Sequence, residues 1–170
     1  DVNQAEKQSG VEDYVWSPDS RCLYFTAVWH GKTNIYVTNL EGKVKQLTDD
    51  QADYGISAIT PDGSGLLCKR HSMAAPDEIY LLRLDTKGID RALKSKKFCS
   101  DVQNGLAKVE QLTCENQLFY DNLAWGDVRP RWVRTTDNKD MLCWVVYPPH
   151  FDPSKRYPTL LFCEGGPQSP

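Results

Sequence analysis

Hydrophobic and polar positions alternate in short runs along the first half of the chain. Leu23, Phe25 and Ala27 share one face of an extended segment and Tyr24 and Thr26 the other, which is the two-residue period of a strand. Upstream, Trp16-Ser17-Pro18-Asp19-Ser20 reads as a strand end and a turn, because proline presets φ and aspartate hydrogen-bonds its local backbone. Trp29-His30-Gly31-Lys32-Thr33-Asn34 reads as a hairpin connection into Ile35-Tyr36-Val37, and Glu41-Gly42-Lys43 as a second turn before Val44 to Leu47. The order returns with Leu66-Leu67-Cys68, a longer loop through Ala74-Ala75-Pro76-Asp77, and a strand from Glu78 to Leu84. The pattern predicts antiparallel β-structure with Phe25, Tyr36, Leu47 and Tyr80 in its core.

The recurrence is a repeat. Trp16-Ser17-Pro18-Asp19-Ser20 matches Ile59-Thr60-Pro61-Asp62-Gly63 at an offset of 43, and Ile35-Tyr36-Val37 matches Ile79-Tyr80-Leu81 at 44. Gln46-Leu47-Thr48 returns as Gln111-Leu112-Thr113 at an offset of 65, so the second copy carries an insertion of about twenty residues over a period typical of propeller blades. The insertion, between Asp85 and Glu110, contains Lys94, Lys96 and Lys97 and is expected to be a solvated loop. The repeats predict a partial β-propeller of about two four-stranded blades over residues 1–124.

From Trp125 the texture changes. Arg131-Trp132-Val133-Arg134-Thr135-Thr136 alternates like a strand, Asp137-Asn138-Lys139-Asp140 is a hairpin turn, and Met141 to Tyr147 is a more continuously apolar strand ended by Pro148-Pro149. After the polar connection Phe151 to Arg156, Tyr157 to Cys163 is expected to form a third strand, buried on both faces and running into Glu164-Gly165-Gly166-Pro167. A glycine pair at the end of a buried strand marks a tight turn or a close approach of backbone to a ligand.

Composition narrows the class. Among 170 residues, 20 Lys plus Arg face 23 Asp plus Glu, so mild acidity provides no electrostatic reason to expect nucleic acid or an anionic membrane as partner. The longest apolar run, Thr159 to Cys163, is far short of the roughly 20 residues of a bilayer span. Six cysteines occur without a C-x-x-C pair, mostly inside apolar runs, and are expected to be free thiols. Asp49-Asp50 and Asp137…Asp140 lack the ligand count of a calcium loop, and there is no phosphate-cradling glycine loop, so neither metal nor cofactor is expected.

A propeller that hands over to Arg131-Trp132…Thr136-Asp137, Tyr147-Pro148-Pro149 and Tyr157-Pro158…Gly165-Gly166-Pro167 resembles the prolyl oligopeptidase family of serine peptidases, and within it the acylaminoacyl-peptidase and dipeptidyl-peptidase-like branches. The resemblance implies that residues 125–170 are the first strands of an α/β-hydrolase catalytic domain, and that the whole enzyme hydrolyses short peptides through an acyl-enzyme at serine, without a cofactor. It also implies that Glu164, Gly165 and Gly166 form the oxyanion loop. Donors aimed at a developing oxyanion contribute roughly 3–4 kcal/mol each. The family often has Tyr or His where this chain has Glu164, and a carboxylate there would repel the oxyanion, so loop backbone N–H groups are the favoured donors.

The nucleophile elbow G-x-S-x-G does not occur in the sequence. Gly63-Ser64-Gly65 has the wrong spacing and lies in a blade turn, and the family order of oxyanion loop, Ser, Asp, His puts the triad beyond Pro170. His30, His71 and His150 lie upstream of the triad position and are not expected to act as the base. The chain is therefore expected to be an inactive, all-β fragment of a longer peptidase, with short peptides as the whole enzyme's substrates. Two blades do not close a ring, so self-association through open blade edges is expected. The alternative is a non-catalytic propeller module for protein binding with an appended β element over residues 126–170.

Overall fold

The computed structural model describes residues 11–95 and 105–163. Chain contacts divide it into two units, one up to Glu115 and one from Asn116. In the first unit, β1 (Val11–Trp16), β2 (Cys22–Val28), β3 (Thr33–Asn39) and β4 (Val44–Gln46) form one antiparallel sheet in chain order. β5 (Asp53–Ile59), β6 (Gly65–Ser72), β7 (Ala75–Leu84) and β8 (Ala107–Gln111) form a second sheet of the same topology. These are the two blades that the repeat predicts.

Matching residues make matching bonds. In the turns between the first two strands of each blade, Ser17 Oγ donates to Asp19 at 2.7 Å and Thr60 Oγ1 to Asp62 at 2.6 Å. The same hydroxyls accept the amides of Cys22 (3.0 Å) and Gly65 (2.9 Å). The residue three places on has positive φ in both, Ser20 at 56° and Gly63 at 71°. Each aspartate is thereby held near a pKa of about 2, for Asp19 by Ser17 and then Arg21, for Asp62 by Thr60 and then the amide and hydroxyl of Ser64. At the far end of each blade, Thr48 and Thr113 hydroxyls accept the amides of Ile35 and Ile79, both at 2.9 Å. Gln46 and Gln111 then bond the carbonyls of those threonines at 2.8 and 2.7 Å.

Strand β2 is buried on both faces rather than one. Tyr24 joins Ile35, Val37, Tyr54, Leu66, Cys68 and Leu82 in the core shared by the two blades. Phe25 and Ala27 point to the opposite face and pack with Tyr36, the Phe25 and Tyr36 rings stacking at 5.6 Å. The loop expected through Ala74 to Asp77 is shorter than the sequence suggested. Strands β6 and β7 close around Met73 and Ala74, and Pro76 sits within β7 where the register slips opposite His71. Such an irregularity tolerates the N–H that proline lacks.

The all-β expectation needs correction in the insertion. Thr86–Lys94 forms helix α1, whose Ile89, Ala92 and Leu93 are buried. Their spacing puts them on one helical face, a period the lysines had masked. Asp85 caps the helix by accepting the Gly88 amide at 3.0 Å. Lys96 and Lys97 lie outside the described residues.

In the second unit, β9 (Val128–Arg134) and β10 (Asp140–Val146) pair as the expected hairpin, in register from Arg134↔Asp140 to Val128↔Val146. Its turn reuses the blade device: Thr135 Oγ1 donates to Asp137 at 2.5 Å, accepts the Lys139 amide at 3.1 Å, and Asn138 has φ 66°. A short helix α2 (Gln117–Tyr120) precedes it, with Tyr120 stacked on Trp125 at 4.5 Å. The third strand expected over Tyr157 to Cys163 does not form. That segment joins no ladder, and Leu160, Leu161 and Phe162 are 97%, 89% and 85% exposed. Apolar sequence makes a strand only where a partner completes its hydrogen bonds, and among the described residues no strand pairs with this segment.

Candidate functional site

The segment leading to the proposed oxyanion loop is ordered by aromatic rings. Tyr147, at the end of the β10 run, packs on Phe151 at 4.6 Å, and Phe151 on Tyr157 at 5.2 Å. The Tyr157 hydroxyl accepts the Asp152 amide at 2.9 Å, closing the polar connection into a compact loop. From β9, Arg131 Nη2 donates to the Tyr147 hydroxyl at 2.9 Å, while the Arg129 guanidinium lies 5.4 Å from the same ring. Tyr147-Pro148-Pro149 and Tyr157-Pro158, two of the motifs singled out in the sequence, are thus brought together by one aromatic stack. Glu164, Gly165 and Gly166 lie outside the described residues.

A second polar site lies at the end of the blades opposite the Ser17 and Thr60 turns. Asp50, in the connection from β4 to β5, accepts from Arg70 Nη2 at 2.6 Å and Nε at 2.9 Å, and from the Tyr54 hydroxyl at 3.0 Å, all on Oδ2. Arg70 also donates to the Tyr54 oxygen at 3.1 Å and lies between two rings, 5.7 Å from Tyr54 and 5.2 Å from Tyr80. Burial opposes the charge on Arg70, but its hydrogen bonds and proximity to Asp50 outweigh that cost and hold its proton more tightly than usual. Burial, then the charge of Asp50, pushes the Tyr54 phenol up. The second carboxylate oxygen, Oδ1 of Asp50, is enclosed without a hydrogen-bond partner.

Neighbouring residues tie the blades at this end. Asp53 Oδ1 accepts the Thr33 amide of the first blade at 2.7 Å, and Lys32 pairs with Asp49 at 3.0 Å. His71 faces two carboxylates, Asp77 at 3.0 Å and Asp53 at 3.9 Å. His30 and His150 occupy turns with φ of 53° and 55°. Ser64 Oγ donates to Asp62 at 2.8 and 2.9 Å and is part of the turn. Among the described residues no group of three or more His, Cys, Asp or Glu is arranged to hold a metal ion. Cys22, Cys68, Cys114, Cys143 and Cys163 are free thiols, and burial pushes the Cys68 thiol up to about 12.

The sequence did not point to the Asp50–Tyr54–Arg70 site. Asp49-Asp50 was legible only as an incomplete calcium loop. The available signal was Lys69-Arg70-His71, three basic residues interrupting a strand that starts apolar. Chemically the site is a fixed guanidinium–carboxylate–phenol network with one enclosed acceptor oxygen.

No family model matches the chain. Over 160 residues it is 38% identical to dipeptidyl-peptidase 5 of Porphyromonas gingivalis, covering 94% of this chain and 20% of that protein. It is 55% identical over 156 residues to dipeptidyl-peptidase 5 of Aspergillus fumigatus, covering 90% of this chain and 19% of the relative. The chain thus spans about a fifth of the length of the curated relatives it matches. Among solved structures, an acylaminoacyl peptidase of Pyrococcus horikoshii shares the fold with a TM-score of 0.56 and 18% identity, over 84% of this chain and 18% of that one.

Proposed function

We propose that this chain is part of a prolyl oligopeptidase-family peptidase, and that the whole protein is a serine peptidase that releases dipeptides or similarly short units through an acyl-enzyme. The carrying observation is the similarity to dipeptidyl-peptidases 5, which runs through 94% of this chain. In this reading residues 1–124 close the propeller and residues 125–170 open the catalytic domain. Glu164-Gly165-Gly166 then supplies backbone N–H groups to the oxyanion, and the nucleophile comes from a G-x-S-x-G downstream. The exposed Leu160-Leu161-Phe162 run supports this reading, because such a run is stable as a strand only under cover on both faces. The segment by itself has no triad to work with and is inactive. The blade edges at β1 and β8, with Tyr14, Trp16 and Val109 exposed, favour self-association of the isolated segment.

The test is made on the full-length protein. It is expected to be labelled at one serine by a fluorophosphonate and to release dipeptides from dipeptidyl-coumarin amides, with labelling abolishing turnover. A reading frame without G-x-S-x-G in the following hundred or so residues, or a full-length protein that neither labels nor turns over, favours the binding-module alternative.

A further inference from the structure

Helix α1 has no counterpart in the first repeat, and it does not simply decorate the second. Its apolar face, Ile89 (1% exposed), Ala92 (6%) and Leu93 (2%), is continuous with Cys22, Tyr24, Ile35 and Val37 of the first blade and with Leu66, Cys68 and Leu82 of the second. The helix contacts β4, the edge strand of the first blade, although it is inserted between two strands of the second. Lys45 on β4 pairs opposite Val37 and is almost completely buried. Burial pushes the Cys22 thiol up and the carboxylate of Asp90, on α1, adds to it, which puts the helix within electrostatic reach of β2.

We propose that α1 is a strap laid across the seam between the two blades, and that it lifts as a unit while both sheets stay folded. The strands are each tied by hydrogen-bonded ladders as well as by packing. The footing of the helix is one short apolar face, anchored at its start by the Asp85 cap and by the bond from the Asp85 amide to the Leu106 carbonyl at 2.8 Å. An element joined to its neighbours by side-chain packing and an end bond, with no ladder to either sheet, has low local contact density and opens early in the native state. Lifting it uncovers the side of the first blade where Cys22 sits and leaves Cys68, fully enclosed between the sheets, out of reach.

Two native cysteines therefore report on two different openings. The experiment is alkylation of the full-length protein with N-ethylmaleimide in native buffer, followed by site-resolved mass spectrometry, with exposed Cys114 as the internal reference. Leu93→Ala is expected to speed Cys22 modification by about tenfold and Cys68 modification much less, since it removes packing of the strap directly while leaving both ladders intact. If Leu93→Ala does not fold, Asp85→Ala, which removes only the cap, is expected to act in the same sense and more weakly. Equal acceleration at Cys22 and Cys68 would show that helix and blades open together and would overturn the proposal, as would unchanged Cys22 reactivity in a folded variant.

Discussion

Gly126 lies so close to the main chain of Tyr147 that a β-carbon on it would stand 1.7 Å from the Tyr147 carbonyl oxygen and 2.9 Å from its carbonyl carbon. The Tyr147 amide also bonds the Asp127 carbonyl at 2.8 Å, so the hairpin closes backbone on backbone at this point. Gly126→Ala should therefore force β9 and β10 apart at their open end. The expected loss exceeds about 2 kcal/mol, the scale of overpacking against unyielding atoms. Hydrogen exchange of the β9–β10 ladder checks this, with Val128 and Val146 losing protection before Arg134 and Asp140.

Thr48 and Thr113 close their blades in the same way but in different surroundings. Thr48 is buried, and its hydroxyl donates to Asn34 at 2.8 Å while accepting the Ile35 amide. Thr113 is less buried and donates to Glu78. Thr→Val at either site leaves an isoleucine amide unmatched, and water can reach the second more easily. Thr48→Val should cost about 1–3 kcal/mol and Thr113→Val less, with Thr48→Ser restoring most of the difference. Urea denaturation of the three variants reads the order directly.

Acid should loosen the blade turns. Asp19 and Asp62 have folded values near 2, below the ordinary aspartate value of about 3.9. A depressed folded pKa means that the stabilisation is complete above the unfolded value and is lost as pH falls through the folded one. Stability should fall between about pH 4 and pH 2 from these two turns. Asp62→Asn should flatten its share of that slope, measured as urea midpoint against pH. A slope unchanged in Asp19→Asn and Asp62→Asn together would assign acid sensitivity elsewhere.

The Asp50–Arg70 pair is partly screened, the side chains being 40% and 25% exposed. Its energetic role lies in what is left behind when one partner goes. Arg70→Ala strands a carboxylate that already has one enclosed oxygen, at a cost of about 1–3 kcal/mol. Asp50→Asn keeps the shape and should cost less. A double-mutant cycle is expected to yield a coupling of about 1 kcal/mol, most of it retained at moderate salt because Arg70 is sheltered by Tyr54 and Tyr80.

Local chemistry was legible from residues alone wherever structure depends on near neighbours. Ser17-Pro18-Asp19 and Thr60-Pro61-Asp62 announced their turns because hydroxyl, proline and aspartate act within five residues. The recurrence of Gln-Leu-Thr announced the end of each blade for the same reason. The resemblance carried by Tyr147-Pro148-Pro149 and Tyr157-Pro158 pointed to the family by the same short-range signatures. Tertiary structure alone decided the rest, because those features rest on partners distant in sequence. Asp50 meets Arg70 across a strand pair, and α1 finds its apolar cover on the other blade. Leu160 to Phe162, apolar enough to read as a buried strand, stays uncovered, since a strand is made by its neighbour and not by its own composition.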